Sequence, residues 1–202
     1  MKSFFKEIHK TVAGRFFLSA IVFLLALTQS FGQAPKQKRM SKADSAAFKA
    51  SIKIIHNVHS KRWGSMQLPG DSIVYSYFVG DVILRQDKSL FYADSAVLNS
   101  KTNMVEGFGH VMIDDKLNKT KIKADYLRYN AADQKAYLNG NVKLQDPTST
   151  LTTPDLDYDM ATRTGIYTKG GTLINGTSHL KSQGGIYYGQ THDATFTGKV
   201  HL

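Results

Sequence analysis

One nine-residue stretch, Ala136-Tyr-Leu-Asn-Gly-Asn-Val-Lys-Leu144, constrains this chain more than any other, because near-copies of it recur four more times. Strict alternation puts Ala136, Leu138, Gly140, Val142 and Leu144 on one face and Tyr137, Asn139, Asn141 and Lys143 on the other, as a half-buried strand requires. The same apolar face returns as Phe78/Gly80/Val82/Leu84, Gly107/Gly109/Val111/Ile113, Thr168/Gly170/Thr172/Ile174 and Phe196/Gly198/Val200/Leu202. From Gly80 through Gly109, Gly140 and Gly170 to Gly198 the steps are 29, 31, 30 and 28 residues.

A second column runs out of phase with the first: Ala93-Asp94, Ala124-Asp125, Pro154-Asp155 and, degraded, Gly184-Gly185. Each period therefore holds two strands. A third column, Asn99, Asn130, Asp159 and Gly189, consists of residue types that tolerate turn geometry. Between Asn130 and the next alternating strand stand only Ala-Ala-Asp-Gln, a connection of hairpin length and too short for a helical crossover. The repeat reads strand, turn, strand, turn, and the chain is all-β.

One period buries too few apolar side chains to offset the entropy of ordering its backbone, so neighbouring periods must stack. Glycine costs stability inside a strand. Five at one register argue that the sheet bends sharply there or that something approaches the backbone closely. Both conditions hold in a sheet folded over into a trough. Its apolar inner face would be lined by Val82, Leu84, Val111, Ile113, Leu138, Val142 and Leu144, with Ile174 and Phe196 in the same column of the later repeats. These nine residues are the candidate ligand-binding set.

Lys2, Lys6, Lys10 and Arg15 precede an apolar run from Phe16 to Leu27, and small residues follow at Ser30 and Gly32. Residues 1–32 read as a secretory signal peptide cut after Gly32. The run is short for a bilayer span, which needs about 20 residues, and retention as an anchor is the alternative. Residues 33–51 form a basic arm or linker, and residues 52–202 the β domain. Of the net charge of +10, residues 1–32 carry +3 and residues 33–62 carry +7, which leaves the repeats neutral. The arm is a solvated linker or is drawn to phosphates on a membrane or an anionic ligand. It lacks the interleaved aromatics of a nucleic-acid binder, so no nucleic-acid partner is expected. The chain contains no cysteine, which excludes disulfides, thiolate metal sites and lipid attached through a thiol.

Phe91-Tyr-Ala-Asp-Ser-Ala, Lys101-Thr-Asn-Met-Val-Glu-Gly-Phe-Gly-His-Val111, Ala124-Asp-Tyr-Leu-Arg-Tyr-Asn130 and Leu138-Asn-Gly-Asn-Val142 resemble the OstA-like family of lipopolysaccharide transport proteins. The resemblance spans roughly residues 52 to 202. It implies an open, V-shaped β-jellyroll in the periplasm that shields the acyl chains of lipopolysaccharide between inner and outer membranes. The partners it implies are lipopolysaccharide, like-folded transport proteins and an outer-membrane assembly partner. Thr172 stands where the family has valine, and Gly184-Gly185 where it has Ala-Asp, which weakens the fourth repeat's claim to a groove. An acyl chain costs about 0.8 kcal/mol per CH₂ left in water, so a carrier needs a continuous apolar sheath and no catalytic group. The sequence stops at Leu202 just after a fifth glycine, so either the natural chain continues beyond it or the last strand is an open edge, and an open edge would favour head-to-tail strand pairing.

No cofactor, metal or enzymatic activity is expected. His56 and His59 fall on opposite faces of a strand, and Asp155, Asp157 and Asp159 lack the spacing of a calcium loop. No serine sits in a nucleophile elbow. The alternative is a secreted structural or carbohydrate-binding β-repeat protein, with a closed core and Tyr137, Tyr167, Tyr187 and Tyr188 lined up outside.

Overall fold

A computed structural model of the protein describes residues 55–67, 70 and 73–201. The signal segment and basic arm assigned to residues 1–51 lie outside the described residues. Within the described residues thirteen strands form one antiparallel sheet. They are β1 (His56–His59), β2 (Arg62–Gln67), β3 (Val74–Gln86), β4 (Ser89–Asn99), β5 (Met104–Asp115), β6 (Thr120–Asn130), β7 (Lys135–Gln145), β8 (Ser149–Asp159), β9 (Thr164–Tyr167), β10 (Gly171–Asn175), β11 (Ser178–Ser182), β12 (Gly184–Tyr188) and β13 (Asp193–Thr197). From β3 to β8 each strand pairs with the next in sequence, as hairpin-length connections dictate.

Every one of these long pairings shifts register near its middle. The shifts lie between Val79 and Val82, Tyr92 and Ser95, Phe108 and Val111, Lys123 and Tyr126, and Asn139 and Val142. Together they form a row of corners across the sheet. At the corner of β7, Gly140 and Asn141 have φ of 79° and 50°, two successive left-handed residues that turn the strand sharply. Close approach adds to the demand for glycine, since a Cβ on Gly140 would lie 2.8 Å from the Cβ of Asp125 and closer still to its carboxylate. The out-of-phase aspartates occupy this row. Asn141 Nδ2 donates to Asp125 Oδ2 at 2.8 Å, His110 Nδ1 and Asp94 Oδ2 are 2.8 Å apart, and Lys61 and Lys169 pair with Asp81 and Asp155 at 2.7 and 2.5 Å.

The corners divide the sheet into two walls that face each other. One wall comprises β2, residues 74–79, 95–99, 104–108, 126–130, 135–139 and 155–159, then β9, β12 and β13. The other comprises β1, residues 82–86, 89–93, 111–115, 120–124, 142–145 and 149–153, then β10 and β11. Strand β8 joins both, pairing with β9 through residues 157–159 and with β10 through residues 149–152. Side chains of the two inner faces meet directly. The Phe91 ring of one wall lies 4.6 Å from the Tyr129 ring of the other, centroid to centroid.

Turn chemistry at the strand ends follows the third sequence column. Asn99, Asn130 and Asp159 each use Oδ1 to accept hydrogen bonds from the backbone N–H groups two and three residues on. Asp115 and Asp146 do the same at the rim of the facing wall. Asn130→Ala removes two such bonds and is expected to cost about 1 kcal/mol, read as a lower urea midpoint at an unchanged slope.

The fourth repeat turns its corner differently. β9 ends at Tyr167 and β10 begins at Gly171, so Thr168, Lys169 and Gly170 form a three-residue corner with its left-handed glycine in the last place, and the inward phase of this repeat is that of Tyr167 and Leu173 rather than that of the glycine. Ile174 therefore pairs with outward-facing Thr150 and is not on the inner face, contrary to the sequence reading, and Leu173 takes the inward position opposite Leu151.

Candidate functional site

The inner faces of the two walls gather the apolar positions of every repeat. Val82, Leu84, Val111, Ile113, Val142 and Leu144 follow the corners of β3, β5 and β7 in one wall, and Leu138 precedes the corner of β7 in the other. All seven are at most 2% exposed and belong to one apolar cluster. Phe196, on the outermost strand β13, is half-buried and packs against the same cluster from opposite Gly185. Eight of the nine expected residues are thus brought together, and Ile174 is not.

The even-numbered strands contribute as much. Phe91 of β4, Ile122, Ala124, Leu127 and Tyr129 of β6, and Leu151, Leu156 and Tyr158 of β8 all point inward. Plain alternation misses half of them, because Ile122 and Ala124 are in one phase and Leu127 and Tyr129 in the other. The corner absorbs that slip, so both halves of each strand face the same interior. The slip was itself the signal of a corner.

The sheet is open in that its outermost strands do not pair with one another, yet its walls are in contact and the interior is filled by its own side chains. Apolar walls held apart in water would sacrifice about 25 cal/mol per Å² of surface, which favours closing the trough. The concavities lie elsewhere. One of about 960 Å³ sits outside the corner row around Gly140, Gly170 and three lysines, Lys143, Lys169 and Lys181. Another, of about 600 Å³, runs along the rim where the two walls end.

Polar groups inside the molecule concentrate at this rim. The Tyr187 hydroxyl donates to Asp146 Oδ2, and His192 Nδ1 lies 3.2 Å from the same oxygen. Burial of Asp146 by itself raises its pKa. The hydrogen bonds from Tyr187 and from the backbone of Thr148 and Ser149 outweigh that and hold the carboxyl below its ordinary 3.8. Burial pushes the Tyr129 and Tyr187 hydroxyls up, so both remain donors at neutral pH. Since the folded pKa of Asp146 is depressed, its stabilising effect is present above pH 3.8 and is lost as pH falls through the folded value. In urea titrations between pH 5 and about pH 2, wild type is expected to lose more stability than Asp146→Asn.

The aromatic row expected of a sugar-binding surface is not formed. Tyr167 and Tyr187 are in the core at 3% and 1% exposure, Tyr188 is exposed, and Tyr137 lies under the Arg128 guanidinium, 5.6 Å from its ring centre. Asp155 is paired with Lys169 and Asp159 is engaged in its turn. Among the described residues no cluster of three or more His, Cys, Asp or Glu side chains is placed to hold a metal ion.

With this geometry in hand, comparison with known proteins finds a family described as OstA-like protein that matches residues 67–202. No curated protein matches the chain. Among solved structures, one similar chain is the crystal structure of LptH, the LptA homologous periplasmic component of the conserved lipopolysaccharide transport device from Pseudomonas aeruginosa. It is 16% identical with a TM-score of 0.45, over 53% of this chain and 76% of that one.

Proposed function

Because the chain belongs to the OstA-like protein family, we propose that it is a periplasmic transport component that binds lipopolysaccharide and shields its acyl chains between the two walls of the sheet. The observation that supports this reading is the unbroken apolar interior, to which every repeat from β3 to β12 contributes. A hydrocarbon chain lying along such an interior is out of water over its whole length, worth about 0.8 kcal/mol per CH₂. The corresponding binding residues are Val82, Leu84, Val111, Ile113, Leu138, Val142, Leu144 and Phe196, joined by the inward residues of β4, β6 and β8.

Export by the N-terminal segment and residence between inner and outer membranes complete the proposal. Strands β2 and β13 each pair on one side only among the described residues, which leaves backbone donors and acceptors for head-to-tail pairing with like-folded partners. A protein that stays monomeric at high concentration and captures no like-folded outer-membrane partner would end that part of the proposal.

Photo-crosslinking to purified lipopolysaccharide tests the binding reading, with the probe placed in turn at Leu138 and Val142 inside and at Tyr137 and Lys143 outside. Crosslinks confined to the inner pair are expected. Equal labelling of both faces, or none, would remove the carrier function and leave the fold as it is.

A further inference from the structure

The two long borders of the folded sheet are held in different ways. Along the corner row the polypeptide itself runs from wall to wall, so the walls cannot part there without breaking strands. Along the rim no strand of the described residues crosses. The walls end in turns, at residues 86–89, 115–120 and 145–149 on one side and 99–104, 130–135, 159–164 and 188–193 on the other.

Among the described residues, side-chain hydrogen bonds tie this seam around Gln86 and around Asp146. Gln86, only 2% exposed, donates from Nε2 to the carbonyl of Ala131 at 2.9 Å and accepts the Tyr129 hydroxyl at 2.5 Å. Gln86 ends β3 in one wall, and Tyr129 and Ala131 belong to the opposite wall three strands along, so the bonds tie rim to rim. Some 60 residues further on, the Asp146 carboxylate accepts the Tyr187 hydroxyl, and His192 Nδ1 lies 3.0 Å from Thr148 Oγ1. Asp146 and Thr148 are in one rim, and Tyr187 and His192 in the other. Between the two bridges lies the 600 Å³ cavity, bordered by Ser89, Asp115 and Leu117 on one side and Met160 and Arg163 on the other. The buried Nε of Arg163 has no hydrogen-bond partner, so the seam is polar but incompletely satisfied.

We infer that this seam is a lateral port through which acyl chains reach the interior, and that the Gln86–Tyr129 and Asp146–Tyr187 bridges are the latches that hold it shut. The inference rests on the carrier reading above and specifies how its site is reached. The interior is filled by its own side chains, so a chain can be accommodated only if the walls separate, and the seam is the border at which separation breaks no backbone ladder. Apolar packing draws the walls together along their whole depth, and at the seam itself side-chain hydrogen bonds, each of modest net strength in water, add the tie from rim to rim. The corner row, with its left-handed glycines, is then the hinge.

The absence of native cysteine gives a clean background for the test. In full-length protein carrying Leu138→Cys, the rate of labelling by N-ethylmaleimide reports how often the walls part. Adding Tyr129→Phe and Tyr187→Phe keeps both rings in the core and removes only the hydroxyls. Labelling is expected to rise on the order of tenfold, about what two net hydrogen bonds represent, and to be insensitive to low urea, as local opening requires. Labelling that follows urea as global unfolding does, or that the two hydroxyls leave unchanged, would overturn the latch.

A second measurement uses Gln86→Cys with Ala131→Cys and a fluorescently labelled fatty acid as the probe. With the disulfide formed, uptake is expected to fall at least tenfold, and reductant is expected to restore it. Uptake that oxidation leaves unaltered overturns the port while the carrier reading stands. Absence of uptake by wild type, with cysteine labelling still rising on latch removal, overturns the acyl chain as occupant and the carrier reading with it.

Discussion

Gly140→Ala is expected to lower the unfolding free energy by about 2 to 3 kcal/mol, far more than a glycine-to-alanine change usually costs a strand. Two effects add. A side chain at φ of 79° carries about 1 to 2 kcal/mol of backbone strain. The new Cβ also drives Asp125 from its place and breaks the bond from Asn141 Nδ2, about 1 kcal/mol more. Urea denaturation of Gly140→Ala, Asp125→Gly and the double variant separates the two. With Asp125 gone the collision disappears and the strain stays, so the double variant should be more stable than the sum of the singles. Additivity within about 0.5 kcal/mol would show that the glycine is there for its backbone angle alone.

Leu138→Ala should cost about 2 to 5 kcal/mol, because the side chain is fully enclosed between the walls and the surrounding strands can collapse only partly into the space. The comparison is with Lys143→Ala, in the same strand and exposed on the outer face, expected within about 0.5 kcal/mol of wild type. Equal losses at the two positions would mean that burial does not distinguish the inner face of β7 from the outer.

Much of this architecture was legible in the sequence because each structural demand recurs at every period. The glycine column marked the corners, the Ala-Asp column marked the carboxylates that meet them, and Asn99, Asn130 and Asp159 marked the turns they form. What was not legible depends on contacts across the fold. Tyr187 reads as an outward aromatic, and only the pairing of β12 with β9, which sets it opposite buried Gly165, makes it a core residue. Ile174 was misplaced because Gly170 stands last in a three-residue corner, where Gly140 stands first in a two-residue one, a difference that spacing between glycines cannot reveal. Closure of the trough was likewise invisible, since alternation says which side chains share a face and nothing about how near the facing wall stands. Gln86 at a strand end reads as a solvated polar residue until its partners in β6 are known.

The row of corners also acts as a ruler. Each period enters at a corner, contributes one strand pair to both walls and leaves at the next corner in the same register, carrying its own Asp and its own turn. Inserting a second copy of residues 110–140 after Gly140 should therefore lengthen both walls together by two strand spacings, about 9 to 10 Å, with the corners still aligned. The interior would grow in a single dimension. Capacity for hydrocarbon would then be set by counting periods, so that evolution or a designer can change it in whole-number steps without redrawing a single contact in the neighbouring repeats.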